Sequence, residues 1–259
     1  MIACKQAVSG LFATLFLLLS FGARAGEDCA HAERDIEARR ALTASSADMD
    51  GAIRSLYTAA REALDRCPSS EPLSYVVARA SELGYADDPR SAGPSPRARQ
   101  FIEDAVICHP QSVRFATVFA RIAGGSVNAR RAYDLDKSYM PARATLAVAL
   151  ANEGHSAEAL GLFPQANKRN LTVSEGIARS RVLLAAGRAA AARREAAAAL
   201  NAPGQEIEIV VPRDLERDVQ EIWGLALIAE GRPQQAAAHL KTAAALGSAR
   251  ASAALRDLR

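Results

Sequence analysis

The chain has 259 residues, a formal net charge of +3, 49% hydrophobic residues and only 5% aromatic ones. A charge this close to neutral gives no global case for nucleic acid or an anionic membrane as partner. Basic residues are nearly all arginine, with lysine only at 5, 137, 168 and 241, a balance we attribute to genome composition rather than to chemistry.

The first residues speak to compartment. Met1 to Lys5 carries one positive charge, and Gln6 to Ala23 is an uncharged, mostly apolar run that closes on Ala23-Arg24-Ala25 before Gly26. A basic start, a short apolar stretch and a small-x-small site read as a secretory signal peptide over 1–25, cut after Ala25. An uncleaved anchor is the competing reading, because the run is just long enough to be considered; Ser9, Gly10, Thr14 and Ser20 dilute it. Gly26-Glu27-Asp28 before Cys29 lacks the small and apolar residues of a lipid-attachment box. Cleavage removes Lys5 and Arg24 and no acid, which brings the formal charge from +3 to +1. The expected protein is periplasmic or secreted, with no membrane insertion after cleavage.

From there on the sequence is helix after helix. Alanine, leucine, arginine and glutamate dominate, with apolar residues at i, i+3, i+4 spacing. The pattern predicts helices over 29–43, 51–66, 72–83, 96–108, 111–123, 126–136, 141–153, 156–169, 173–186, 189–201, 213–230, 233–246 and 248–257. Gly and Pro punctuate them at Cys67-Pro68, Gly84, His109-Pro110, Gly124-Gly125, Gly154, Gly187, Pro203-Gly204, Gly231 and Gly247. Many short helices with short turns predict antiparallel helix hairpins and an all-α fold. Two connections are longer: 84–95, with Pro89 and Pro94, expected to be mobile, and an insertion over 202–213. The latter holds Glu206-Ile-Glu-Ile-Val-Val, a strand-like stretch read as an extended connector lying against the helices, with a partner-pairing edge as the alternative.

Self-similarity appears when Gly124, Gly154, Gly187 and Gly231 are aligned as turns. Seven residues before each stands a small residue: Thr117, Ala147, Ser180 and Gly224. Four before come Ala120, Leu150, Leu183 and Leu227; five after come Ala129, Ala159, Ala192 and Ala236. Nine after come Tyr133, Phe163, Ala196 and Leu240; twelve after come Asp136, Ala166, Ala199 and Ala243. Small residues let paired helices approach closely, and the larger one fills the space under the next pair.

At these residues the chain resembles the tetratricopeptide repeat family, most closely over 141–169 and 217–246 and more loosely over about 110–250. The related Sel1-like repeat is a second candidate, because Lys241-Thr-Ala-Ala-Ala-Leu-Gly-Ser-Ala-Arg-Ala looks like its repeat junction. The resemblance implies an α-α superhelix, a solenoid of antiparallel helix hairpins. Turn spacings of 30, 33 and 44 residues make it a degenerate one. Pro164 falls inside a predicted second helix and is expected to kink or end it. The resulting organisation is a signal peptide over 1–25, N-terminal hairpins over 26–109 and repeats over 110–259.

Cleavage would leave Cys29, Cys67 and Cys108, an odd count in an oxidising compartment. In an antiparallel hairpin the start of the first helix lies beside the end of the second, which brings Cys29 and Cys67 within disulfide range. That pairing leaves Cys108 buried or free. Cys67–Cys108 is the competitor, although stacked helices 8–10 Å apart are far for a direct bond.

Catalytic and metal chemistry find little footing. Cys108-His109 are adjacent at a helix end and point in different directions, whereas a catalytic Cys needs its base facing it. His31, His109, His155 and His239 are isolated, so no zinc site is expected. No phosphate-binding loop accompanies Gly124-Gly125, and no cofactor is expected. By the resemblance, the inner face lined by first helices takes in Arg114, Val118, Arg121, Ala144, Val148, Asn152, Ile177, Arg181 and Glu221. Its three arginines would suit acidic or C-terminal carboxylate groups of a peptide; the alternative is that they solvate a face or pair with Asp and Glu. The expected function is binding rather than catalysis: a scaffold or adaptor for a protein or peptide partner in the cell envelope. An envelope hydrolase domain on the same scaffold and a self-stacking structural subunit are the alternatives.

Overall fold

A computed structural model describes residues 18–43, 46, 48–85, 94–163, 172–200 and 211–258, with side chains from Asp28 onward. The helices within it, in chain order, are α1 (Leu18–Thr43), α2 (Met49–Arg66), α3 (Glu71–Glu82), α4 (Pro96–Cys108), α5 (Val113–Ala123), α6 (Ser126–Leu135) and α7 (Met140–Asn152). They continue as α8 (Ser156–Gly161), α9 (Val173–Ala185), α10 (Ala189–Ala199), α11 (Pro212–Ala229), α12 (Pro233–Ala245) and α13 (Ala249–Asp257). The described residues contain no strand. The fold is all-α, its helices packed in adjacent pairs.

Local chemistry sets where helices begin. Asp48, Ser70, Ser95 and Ser248 each accept a hydrogen bond from the backbone N–H three residues on, satisfying a donor that the helix itself leaves unpaired. Thr172 and Glu175 form a reciprocal capping box at the start of α9. Prolines open α3, α4, α7, α11 and α12, where the missing N–H costs nothing.

Helix ends follow one recurring device. The N–H groups of His155, Arg188, Arg232 and Ser248 donate to the carbonyls of Leu150, Leu183, Leu227 and Ala243, each across a glycine with positive φ: Gly154, Gly187, Gly231 and Gly247. This is the Schellman motif, which needs a left-handed residue at that position. Of the aligned turn glycines, Gly154, Gly187 and Gly231 are therefore structural equivalents, with the leucine four residues earlier supplying the receiving carbonyl, whereas Gly124 donates its own N–H to the Ala120 carbonyl.

Three sequence expectations meet the structure differently. α1 begins at Leu18 rather than at Cys29, so its backbone runs helically through Ala23-Arg24-Ala25. α8 ends at Gly161 instead of reaching 169; Pro164 has no N–H to give and disfavours helix in the residue before it. Most of the 84–95 connection and the strand-like 206–210 fall outside the described residues, whereas Val211 is buried and caps α11.

The chain divides into two units, Met1–Val118 and Phe119–Arg259. In the first, α3 packs against α1, α2 and α4, which explains why it is buried almost all round, from Leu73 through Ser81 apart from Arg79. Ile53, Leu56, Leu73, Val77, Ile102, Phe115 and Val118 are its fully buried large side chains. Phe115 meets Tyr75 edge-on and stacks with His109. Cys29 and Cys67 are disulfide-bonded across the α1–α2 hairpin with Cα atoms 5.7 Å apart, the pairing expected from hairpin geometry. Cys108, expected to be buried or free, is neither: it is half-buried and disulfide-bonded.

In the second unit α7, α9, α11 and α13 touch in succession, while α8, α10 and α12 each pack on the helix before them. The aligned repeat columns supply this core. Ala147 and Ser180 are fully buried, as are Ala129, Ala159, Ala192 and Ala236; Thr117, of the same column, is fully buried in the first unit. Leu240 from α12 lies directly against Gly224 of α11, and Ala199 of α10 against Gly176 of α9.

Hydroxyl–carboxylate contacts dock helix starts onto earlier or later helices. Ser248 donates from its Oγ to the buried Glu221 at 2.7 Å and accepts the N–H of Ala251. Ser248→Ala removes a cap and leaves Glu221 without that donor, so α13 is expected to lose about 1–2 kcal/mol. Amide exchange confined to 249–257 is the measurement that checks it.

Candidate partner-binding face

The first helices α7, α9 and α11 form a row within the second unit, and polar side chains tie neighbours across it. Arg143 on α7 pairs with Glu175 on α9, which is 3% exposed. Arg181 on α9 reaches Asp218 on α11 at 2.9 Å. Asp218 also receives Arg217, which contacts Asp214 at 2.7 Å. Burial pushes the Arg217 guanidinium down, but the carboxylates of Asp218, Asp214 and Glu221 outweigh it and its pKa ends up raised. The second helices are tied as well: Arg130 on α6 to Glu158 on α8, and Arg193 on α10 to Glu230 at the end of α11 in a two-pronged contact.

The predicted face residues land in different environments. Arg114 and Val118 belong to the first unit, where Arg114 is exposed and sits 5.2 Å over the Tyr75 ring while Val118 is fully buried. In the second unit Ala144, Ile177 and Glu221 are buried. Ala144 joins the cluster around Leu146 and Val182, Ile177 the cluster around Ile222, and Glu221 is occupied by Ser248. Arg121, Val148 and Arg181 are half-buried and Asn152 is exposed. Of the three arginines, Arg181 already holds an acid and Arg114 an aromatic ring. A partner carboxylate would therefore compete with Asp218 at Arg181 rather than meet an open guanidinium.

Sequence reasoning missed the partners of this network. Glu175 and Asp218 sit two helices on from their arginine, on the next first helix of the row, with no short spacing to announce them. It also missed a cluster between α11 and α12. The sole tryptophan, Trp223, tilts against His239 at 5.2 Å, and His239 Nδ1 lies 2.7 Å from Gln220 Oε1. A shallow open depression of about 550 Å³ lies along α6, lined by Ser126, Val127, Arg130, Arg131, Asp134 and Leu135. None of the predicted face residues lines it. Among the described residues no group of His, Cys, Asp and Glu is placed to hold a metal ion. Nor is any described helix long and apolar enough to cross a membrane.

One contact gives a pH signature. Glu153, at the end of α7, accepts the Ser126 hydroxyl at 2.6 Å and its backbone N–H at 2.7 Å. The hydroxyl first and then the N–H hold the carboxyl below its ordinary 4.5. A depressed folded pKa contributes stability above the unfolded value and loses it as pH falls through the folded one. The wild-type advantage over Glu153→Gln in urea unfolding is thus expected at pH 7 and should shrink steadily below pH 4.5. An advantage independent of pH would assign the contact to shape rather than charge.

No protein-family model matches the chain, and no curated protein matches it.

Proposed function

We propose that this chain is an exported helical-repeat scaffold or adaptor, periplasmic or secreted, that holds a protein or peptide partner in the cell envelope. The observation that carries the reading is the row of first helices α7, α9 and α11, cross-tied by Arg143–Glu175 and Arg181–Asp218. Stacked helix pairs that touch only near neighbours present an extended surface instead of an enclosed pocket, as repeat proteins do when they bind other chains. In this reading the hairpins form a degenerate tetratricopeptide- or Sel1-like superhelix, and Val148, Asn152 and Arg181 contact the partner, with Arg181 exchanging Asp218 for a partner carboxylate. The signal-like opening of the sequence supports export, and the Cys29–Cys67 bond suits an oxidising compartment.

Two measurements test it. A reporter active only outside the cytoplasm, fused after Arg259, should gain activity with residues 1–25 present and lose it without them. A photo-crosslinker at Asn152 should capture one envelope protein in preference to a crosslinker at Arg194, an exposed residue of α10. Equal capture at both sites, combined with hydrolysis of cell-wall material by the purified chain, would favour the enzyme alternative and overturn the scaffold reading.

A further inference from the structure

We infer that the Cys29–Cys67 disulfide is a redox latch for the 28–43 stretch of α1: its reduction releases this stretch while α2, α3 and α4 keep their fold. The contrast in packing carries the inference. Among the described residues of α1, Ile36 is the one buried apolar side chain. α2 buries Ile53, Leu56, Ala60, Ala63 and Leu64, and α3 is buried on nearly every side. The other buried residue of α1, Thr43, spends its hydroxyl on the Arg39 carbonyl of its own helix. Asp35–Arg39 and Glu37–Arg40 are likewise internal to α1, so these contacts support the helix without fastening it to anything.

Among the described residues, the outward ties of α1 include two polar ones. Ser70 donates to Glu33 at 2.6 Å, and the positive charge of Arg114 acts on Glu37. Against these stands a covalent bond closing a separation of 38 residues. The latch is accessible from one side. Cys29 is half-buried, whereas Cys67 is 5% exposed at the end of α2. A dithiol reductant would attack Cys29 Sγ as the thiolate, breaking the Sγ–Sγ bond, and Cys67 leaves as a thiolate that takes up a proton. The second thiol of the reductant then displaces Cys29 from the mixed disulfide. Two electrons pass from the dithiol to the pair, giving two protein thiols and one oxidised reductant. The freed stretch keeps its internal ion pairs and departs as a helix-prone segment, uncovering Cys67 and the Ser70 cap of α3.

The test compares the intact, oxidised full chain with Cys29→Ala/Cys67→Ala, in which the bond at Cys108 is untouched, by amide hydrogen exchange. Exchange over 28–43 should rise at least tenfold while 53–64 and 73–81 keep their protection. The wild-type chain, folded with its disulfides and then exposed to a small-molecule dithiol, should show the same pattern over 28–43; Cys108→Ala, which keeps the Cys29–Cys67 bond, treated in the same way decides if the double variant does not fold. Unchanged protection over 28–43 would mean that packing holds α1. Loss of protection across α2 and α3 as well would mean that the bond stabilises the whole unit. Either result overturns the latch. The inference stands on the packing of the first unit and is independent of the partner-binding proposal.

Discussion

Gly176→Val should destabilise the second unit by about 2–3 kcal/mol and lower its melting temperature by roughly 5–10 °C. Gly176 faces α10 at a point where the two helices nearly touch. A Cβ built on it would stand 2.6 Å from the Ala199 Cβ and 3.3 Å from the Ala199 Cα. Neither atom is the end of a flexible side chain, so relief requires the helix backbones to part, and the buried contacts of Ile177, Leu183 and Ala196 would loosen with them. Gly224 offers the informative comparison. Its Cβ would meet Leu240 Cδ2 and Cγ at 2.6 Å and the Leu240 backbone N at 3.3 Å, and a change of leucine rotamer can relieve the two shortest of these. Helix propensity also favours alanine over glycine by about 1 kcal/mol. Gly224→Ala should therefore cost much less than Gly176→Val. Ala199→Gly placed on Gly176→Val reopens the gap and should recover part of the loss. Thermal unfolding of wild type, Gly176→Val, Ala199→Gly and the double variant closes the cycle, and additive costs would show that Ala199 is not the obstructing group.

That close approach was legible in the sequence only in part. The columns aligned on Gly124, Gly154, Gly187 and Gly231 picked out mostly residues that the fold buries, with Tyr133 and Asp136 half-buried and Ala166 outside the described residues, because alanine, serine and glycine at fixed offsets are what close helix pairing demands. Helix starts at Ser70, Ser95, Thr172 and Ser248 were equally local, set by a side chain and an N–H three residues away. Gly176 stood in no column, since its role depends on Ala199 from the other arm of the hairpin. α8 stopped short because one proline outweighed a helical pattern that extends beyond it. The candidate face was read least well. Spacing placed Ile177 and Glu221 on a first helix, but which side of that helix turns inward depends on its neighbours. The arginines were visible as charges, whereas their acids lie on the next helix of the row, at separations of 32 residues for Arg143–Glu175. Pairwise electrostatics across a repeat leaves no period-like trace when each unit solves it differently.

Glu175→Ala should be the most damaging change in that network, at about 3–5 kcal/mol. The Glu175 carboxylate does two things at once. It receives the Arg143 guanidinium from α7, and its second oxygen accepts the Thr172 N–H to complete the capping box of α9. Both partners sit in poor contact with water: the Arg143 side chain is 15% exposed and its Nε already lacks a partner. Truncation therefore leaves a largely desolvated cation without its acid, which costs more than the bridge itself contributes. Glu175→Gln keeps an acceptor for the cap but not the charge and should fall between wild type and alanine. Replacing both ends with methionine, Arg143→Met/Glu175→Met, removes the stranded charge and should recover most of the stability lost in Glu175→Ala. Chemical denaturation of these variants distinguishes two roles. A large single-variant loss with recovery in the double variant assigns the pair to fixing the register of α7 against α9, at little net gain in stability. A loss below about 1 kcal/mol, the range of an exposed ion pair, would mean that apolar packing alone aligns the first helices and that the bridge is incidental to the face they form.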